Sequence, residues 1–166
     1  MSLSGGMLMA QSDQAAASNI ASNVAALGRD LAQSAKLIAE VRDEEVEIGT
    51  AAKEEVWRSD KVILYRYKAV AERKLKTPLL IVFSLVGRYT IVDLQEDRSM
   101  VRNLLRLGVD IFVIDWGSPS RADRYLTMGD YINDYLDSAV EAVKEASGVS
   151  QVNLLGICEG GTFSLC

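Results

Sequence analysis

Short apolar runs recur along residues 62–155 and are separated by stretches of mixed character. Residues 62–68 alternate between apolar and polar side chains and are rich in β-formers, as expected for a strand. Residues 79–83 and 109–114 are almost continuously apolar, which is typical of strands buried on both faces of a sheet. The pattern therefore predicts three strands, and a further short apolar run at 152–155 predicts a fourth.

Helical patterns fill the gaps between these predicted strands. The first covers residues 94–107 and ends at Gly108, because glycine is common just beyond the end of a helix. The second begins at Thr127, which forms a predicted capping box with Asp130 three residues later, and it ends near Gly148. Alternation of strands and helices predicts an α/β fold with a parallel sheet, whose ligands bind at the carboxyl ends of the strands.

The N-terminal part of the chain divides into two predicted regions. Residues 1–14 are expected to be disordered, and residues 15–47 are expected to form an amphipathic helix before a domain that spans 48–166. The apolar positions of this helix recur at helical spacing at Ile20, Val24, Leu27, Leu31, Ala35, Ile38 and Val41. The stripe either packs on the helix's own domain or docks a partner protein, and the sequence leaves both open.

Composition and charge narrow the classes of function. The 166 residues are 49% hydrophobic and carry a net charge of −5 without a basic patch, which argues against a nucleic-acid binder. No metal-ligand spacing is present, so no metal site is predicted. Residues 1–10 lack the features of a secretory signal, and the longest apolar run, 79–86, is too short to span a bilayer. Two cysteines do not make a disulfide framework, and their placement favours a reducing cytoplasm.

The most informative motif is GICEGG at residues 156–161, directly after the apolar run at 152–155. It matches the nucleophile elbow, G-x-nucleophile-x-G, with Cys158 in the place of serine. The sharp turn from strand to helix strains the backbone at the nucleophile, and Gly156 and Gly160 let the turn close without side-chain clashes. The helix N-terminus also stabilises a thiolate. The alternative is that Cys158 is a buried structural cysteine beside a glycine turn.

Two backbone N–H groups are candidates for an oxyanion hole. The N–H of Glu159, the residue after the nucleophile, is the first donor, and an N–H near Val86, in the loop after Phe83, is the second. The charge of Glu159 suits a helix N-terminus but opposes thiolate formation at Cys158. Cys166 has no comparable setting and is predicted to be a small apolar residue on the helix after the elbow.

Several segments occur together in an order that resembles a known enzyme family. They are residues 79–82, 93–99, 114–117, 121–124, 130–132 and 153–163. Together they resemble the catalytic subunit of class III polyhydroxyalkanoate synthases, from about Val46 to the last residue. The lipase-like box with cysteine, combined with the Asp-Trp-Gly segment at 115–117, makes the resemblance specific.

The resemblance implies an α/β-hydrolase fold and an acyltransferase that polymerises (R)-3-hydroxyacyl-CoA, commonly the 3-hydroxybutyryl thioester. Cys158 matches the family's nucleophile, which carries the growing chain as a thioester. The CoA thioester is the substrate, and no further cofactor is implied. The family also implies a second, non-catalytic subunit of the class III or class IV type, and a cytoplasmic location at the surface of polyester granules.

The resemblance also implies a histidine base and a catalytic aspartate later in the chain than Cys158. This sequence contains no histidine and stops at Cys166. We therefore expect it to be an N-terminal portion of the enzyme, with an incomplete sheet, that is inactive by itself. Asp115 lies at a predicted strand end and is interpreted as structural, because the family's catalytic aspartate comes later.

Two other functions share these features. Another cysteine-dependent α/β-hydrolase, such as a thioesterase or a dienelactone-type hydrolase, would use the same elbow and give water-terminated products. A non-catalytic interaction remnant would use the helix of residues 15–47 to bind a partner. The absence of histidine and the amphipathic stripe of that helix favour the second of these alternatives.

Overall fold

The computed structural model describes residues 22–36 and 48–166, and the chain divides after Val46 into two units. In the first unit, residues 22–36 form helix α1, inside the range 15–47 that the sequence predicts to be helical. The prediction of disorder for residues 1–14 lies outside the described residues, as do the two ends of the predicted helix.

The second unit begins with a β-hairpin. Strands β1 (Lys53–Ser59) and β2 (Val62–Tyr67) pair antiparallel and are joined by a turn at Asp60 and Lys61. Asp60 has a φ of 51°, a left-handed conformation that aspartate adopts more readily than most residues. The sequence analysis predicted β2 but missed β1, because β1 is an edge strand with mostly polar side chains and no apolar run to signal it.

The next segment corrects one prediction. After β3 (Leu79–Val82), two short strands, β4 (Asp93–Gln95) and β5 (Arg98–Ser99), form an antiparallel ribbon. Only then does helix α2 (Met100–Arg106) begin. The helix predicted over residues 94–107 is therefore wrong in its first half and correct in its second.

Ser99 decides where α2 begins. Its side-chain oxygen accepts a hydrogen bond from the backbone N–H of Arg102 at 2.9 Å, which is the bond that an N-cap residue makes. Its hydroxyl donates to the buried carboxylate of Asp93 at 2.6 Å. Because Asp93 holds Ser99 in an extended conformation across the ribbon, the helix cannot begin earlier.

Alternating elements complete the chain. Strand β6 (Ile111–Asp115) is followed by a loop and by a π-helical segment (Asp130–Leu136) that continues into helix α3 (Asp137–Ser147). Strand β7 (Asn153–Gly156) then leads into the short helix α4 (Glu159–Phe163). The predicted strands and helices of this half of the chain are all present, with boundaries shifted by a few residues.

The predicted capping box is confirmed. The carboxylate of Asp130 accepts from the backbone N–H of Thr127 at 2.5 Å and from its hydroxyl at 2.8 Å. The N–H of Asp130 in turn donates to the Thr127 hydroxyl oxygen at 3.4 Å. These bonds from Thr127 hold the pKa of the Asp130 carboxyl below its usual value.

The main sheet is mixed rather than purely parallel. Its five strands lie in the order β1-β2-β6-β3-β7. Strand β3 pairs parallel with both β6 and β7, whereas β1–β2 and β2–β6 are antiparallel. The α/β fold class is therefore confirmed, and the parallel arrangement applies to the three strands nearest the elbow.

Alternate side chains of the strands build two cores, one on each face of the sheet. One face packs against α3, α4 and the π-helical segment, and its buried strand residues are Val62, Leu64, Leu80, Val82, Phe112 and Ile114. The other packs against α2, and its buried strand residues are Tyr67, Ile81, Ile111 and Val113. With both faces covered, β3 and β6 read as continuous apolar runs in the sequence.

Candidate active site

The nucleophile elbow is formed where β7 passes into α4. Cys158 sits between them with φ 58° and ψ −127°, a conformation that L-residues rarely adopt. The backbone N–H of Ile157 donates to the carbonyl oxygen of Val82, at the end of β3, at 2.9 Å. The turn is therefore strained at the cysteine and fixed to the neighbouring strand immediately before it.

The two glycines of the elbow lie where a side chain has no room. A Cβ added at Gly160 would overlap the carbonyl oxygen of Val82, and one added at Gly156 would lie 2.6 Å from the carbonyl oxygen of Gly160. Both obstacles are backbone atoms, which cannot swing aside as a side chain can. At Gly161, by contrast, an added Cβ would make an ordinary contact of 3.6 Å with the Gly156 oxygen.

The two cysteines differ in setting although both are exposed. Cys158 stands at the corner between strand and helix, where its sulfur is open to a reacting molecule. Cys166 lies beyond the end of α4, and its sulfur is 3.4 Å from the carbonyl oxygen of Thr162. The prediction that Cys166 lies on the helix after the elbow is wrong, because α4 ends at Phe163.

The predicted oxyanion donors have different surroundings. Glu159 is the first residue of α4, so its backbone N–H has no acceptor within the helix. The N–H of Val86 donates to the side-chain oxygen of Ser84 at 3.2 Å. The N–H of Leu85 instead points towards the elbow and donates to the Glu159 carboxylate at 3.3 Å. The sequence could locate the loop but not the direction of each N–H, so it missed Ser84 and Leu85.

Trp116 connects the loop after β3 with the loop after β6, and both loops border the site. Its indole N–H donates to the carbonyl oxygen of Phe83, just after β3, at 2.8 Å. Its ring meets the edges of Tyr131 and Phe163, with centroids 5.7 and 6.0 Å away. The loop after β3, the loop after β6 and helix α4 are thus held together by one buried side chain. The sequence marked the Asp-Trp-Gly segment only through its resemblance.

Asp115 is structural, in agreement with the interpretation from the sequence. It ends β6, and its carboxylate accepts from the backbone N–H of Gly117 at 3.0 Å. Gly117 has a φ of 70°, and an added Cβ would contact the backbone of Lys61. The carboxylate therefore holds a tight turn that carries the chain away from the sheet.

A cavity of about 390 Å³ opens beside the loop after β3. It is lined by Lys61, Leu85, Val86, Trp116, Gly117, Pro119 and Tyr131. Most of this lining is apolar, and the Lys61 ammonium bonds to the Tyr131 hydroxyl at 2.8 Å and to Asp123 at 3.3 Å. Burial opposes the charge of Lys61, but these bonds outweigh it and raise the pKa of the ammonium. Because Asp123 balances that charge, the cavity suits a neutral group better than an anion.

Two further findings concern metals and membranes. Within residues 22–36 and 48–166, no group of three or more His, Cys, Asp or Glu side chains is placed to hold a metal ion. No helix in this part of the chain is long and apolar enough to cross a bilayer.

The fold and the elbow define the class of this protein as an α/β-hydrolase, and residues 77–166 match the α/β hydrolase fold family. Residues 7–104 match the family described as the N-terminus of poly-beta-hydroxybutyrate polymerase (PhaC), and the chain belongs to this polymerase family. This match begins well before Val46, so the family also covers part of the region for which the sequence analysis found no resemblance.

Several curated proteins named poly(3-hydroxyalkanoate) polymerase subunit PhaC are similar to this chain. The protein of Synechocystis sp. is 50% identical over 126 residues, which cover 76% of this chain and 33% of the relative. The protein of Allochromatium vinosum is 50% identical over 124 residues, which cover 74% of this chain and 35% of the relative. The protein of Thiocystis violacea is 51% identical over 121 residues, which cover 72% of this chain and 34% of the relative. The chain thus spans about a third of the length of these relatives.

Proposed function

We propose that this chain carries the nucleophile of an acyltransferase that polymerises (R)-3-hydroxyacyl-CoA, with 3-hydroxybutyryl-CoA as the substrate, through a thioester on Cys158. The observation that carries the proposal is the exposed Cys158 at φ 58°, next to Ile157, which bonds to the end of β3, in a chain of the PhaC family. A strained, exposed cysteine between a strand and a helix is what covalent catalysis requires and what packing alone does not explain.

The first half-reaction needs only the thiolate and an oxyanion hole. The Cys158 sulfur attacks the thioester carbonyl carbon, a new carbon–sulfur bond forms, and the bond to CoA breaks. CoA leaves as a thiolate and takes up a proton equivalent to the one that Cys158 lost. Negative charge on the carbonyl oxygen is stabilised by the N–H of Glu159 and by a second N–H from the loop after β3. The direction of the Leu85 N–H favours Leu85 over Val86 as that second donor.

Chain growth needs one further group. A 3-hydroxyl oxygen must attack a thioester carbonyl, and the proton of this weakly acidic alcohol must go to a general base. The chain contains no histidine, so these 166 residues do not supply the usual base. Because nucleophile and base act as a unit, we infer that this chain alone is inactive as a polymerase, although Cys158 can still accept one acyl group.

The proposal also covers the cofactor, the partner subunit and the cellular location. The CoA thioester is itself activated, so no further cofactor is required. The relatives are named subunits, which supports a second, non-catalytic subunit as partner, and we assign the chain to the class III type with class IV as the alternative. The product is an insoluble polyester, so the site of action is the surface of cytoplasmic granules.

Incubation of the chain with 3-hydroxybutyryl-CoA tests the proposal. We expect release of CoA and a gain in mass at Cys158 equal to one hydroxyacyl group, and Cys158→Ala should lose both. Full CoA release by the Ala variant would contradict the assignment. Mass spectrometry of the products separates a polymerase from a cysteine-dependent hydrolase, since a hydrolase would turn over and release the monomeric acid.

Helix α1 offers a second candidate function, the binding of a partner protein. Val24, Leu27 and Leu31 recur at helical spacing along it, and all three side chains are exposed. We propose that this stripe contacts the second subunit. A pull-down from cells that make polyester, with and without residues 1–46, tests this. Capture of the subunit by the shortened chain at full strength would exclude it.

A further inference from the structure

The carboxylate of Glu159 accepts hydrogen bonds from the loop after β3. One of its oxygens, Oε2, lies 3.3 Å from the backbone nitrogen of Leu85 and 3.3 Å from the hydroxyl oxygen of Ser84. The Ser84 hydroxyl donates its hydrogen to this carboxylate and accepts from the N–H of Val86 at 3.2 Å. The donors of the loop therefore converge, directly or through Ser84, on a single negative oxygen.

This side chain connects the residue that carries the first proposed oxyanion donor with the loop that carries the second. Glu159 follows Cys158 directly, and its own backbone N–H is the first donor of the hole. The loop that offers the second donor is fixed to the elbow, because Ile157 donates to the carbonyl oxygen of Val82 at 2.9 Å. The side chain of Glu159 therefore spans from the nucleophile turn to the loop donors.

A carboxylate in this position resembles the group that an oxyanion hole is built to receive. The oxygen of a thioester under attack is also negative, and in the proposed site it accepts from the N–H of Leu85 and the N–H of Glu159. The Glu159 carboxylate shares only the first of these donors, since its second bond comes from the Ser84 hydroxyl. The N–H of Leu85 cannot give a strong bond to both oxygens at once. We propose that the Glu159 carboxylate is a resident occupant of the oxyanion hole, which the thioester oxygen must displace before Cys158 is acylated.

The geometry indicates that displacement is feasible. Bonds of 3.3 Å are long for a charged acceptor, whose usual distances to N–H and O–H donors are below 3 Å. Glu159 is also half-buried rather than enclosed, so its side chain has solvent to move into. The carboxylate thus keeps the loop donors ordered while the site is empty, at a cost to the rate of acylation.

Two other roles for this carboxylate give different outcomes on substitution. If Glu159 acted only through its charge, it would lower the reactivity of the Cys158 thiol towards every electrophile. If Glu159 acted only by positioning the loop, its removal would slow acylation. The resident role alone predicts that acylation becomes faster while the reactivity of the thiol towards a reagent that needs no oxyanion hole changes less.

The test rests on the proposed function and compares two reactions of Cys158 in this chain. The first is acylation by 3-hydroxybutyryl-CoA, followed by mass spectrometry, and the second is alkylation by iodoacetamide, which forms no oxyanion. Glu159→Asp keeps the charge but shortens the reach to Leu85, and Glu159→Gln keeps the length but removes the charge. Glu145→Asp, an exposed residue of α3, is the matched control.

We expect the ratio of acylation to alkylation rate to rise about tenfold in Glu159→Asp, and to rise in Glu159→Gln, with Glu145→Asp unchanged. An unchanged ratio in both Glu159 variants would mean that only charge acts, and a lower ratio would mean that Glu159 positions the loop. Either result overturns the inference alone. Absence of acylation in every variant, wild type included, overturns the proposed function and the inference together. Circular dichroism checks that each variant is folded. If one Glu159 variant does not fold, the other still tests the inference.

Discussion

The backbone N–H of Ile157 donates to the carbonyl oxygen of Val82 at 2.9 Å, joining the residue before the nucleophile to the last residue of β3. This bond carries the ladder between β7 and β3 one step beyond the strand. It places the strained turn at Cys158 beside the loop that we propose to supply the second oxyanion donor. The position of Cys158 is thus set by strand pairing and does not depend on its side chain.

The closeness of α4 to β3 gives a prediction at Gly160. Gly160→Ala should destabilise the chain by about 3 kcal/mol or more, because the new Cβ would overlap the Val82 carbonyl oxygen and force the helix away. Gly161→Ala is the control, and it should be neutral or slightly stabilising, since its Cβ has room and alanine favours a helix. Urea unfolding followed by circular dichroism measures both. Equal stability of the two variants would contradict the packing described here.

A second prediction concerns the choice of sulfur over oxygen. Cys158→Ser should keep the elbow and the fold but lower acylation by 3-hydroxybutyryl-CoA at least about a thousandfold. The reason is that a serine hydroxyl needs a base to become a nucleophile, and the chain contains no histidine. Cys166→Ser should react at the wild-type rate, because that sulfur lies beyond α4. The rate of CoA release measures both, and comparable acylation of the two variants would refute the proposed role of Cys158.

Trp116 provides a test of how the loops are held. Trp116→Phe removes the hydrogen bond to the Phe83 carbonyl oxygen and leaves that buried acceptor unpaired, which should lower the free energy of unfolding by about 2 kcal/mol. Trp57→Phe, on edge strand β1, is the control. It replaces the same side chain without affecting that carbonyl oxygen, and it should lower the free energy of unfolding by less. Thermal unfolding compares the two. A larger loss at Trp57 would show that the Trp116 bond is not what holds these loops.

The hydrogen bond from Tyr135 to Asp60 makes the stability of the fold decrease as the pH rises in the alkaline range. Its hydroxyl donates to the Asp60 carboxylate at 2.8 Å, and this bond, with burial, raises the pKa of Tyr135 to about 12. The raised pKa stabilises the fold below about pH 10, and this contribution is lost as the pH rises towards about 12. Burial also raises the pKa values of Tyr67 and Tyr89, so the wild-type curve falls across the same range and beyond.

Tyr135→Phe should therefore lower the free energy of unfolding by about 1 kcal/mol at neutral pH. Between pH 10 and 12, the free energy of unfolding should fall less in this variant than in the wild type. Tyr125→Phe, at an exposed tyrosine, is the control and should leave both values unchanged. Urea unfolding at a series of pH values measures the difference. Parallel curves for wild type and Tyr135→Phe would contradict the role of this bond.

Strands β3 and β6 were predictable because burial on both faces leaves a continuous apolar run. Strand β1 was not, since its mostly polar edge carries no such signal. The first half of the helix predicted over 94–107 was wrong for a different reason. Its spacing fits a helix, but Asp93 is buried and bonded to the distant Ala51 N–H, and its bond to Ser99 outweighs local propensity.

The sequence by itself determined the identity of the nucleophile candidate and the glycines around it, because a strand-to-helix turn of this sharpness restricts residue type locally. It also determined the α/β class and the alternation of β3, α2, β6, α3 and β7. Only the tertiary structure decided that the Glu159 carboxylate meets the Leu85 N–H and that the Val86 N–H bonds to Ser84 instead. The direction of a loop N–H depends on contacts between residues more than seventy positions apart, such as Glu159 with Ser84 and Leu85, and a periodic pattern carries no information about them.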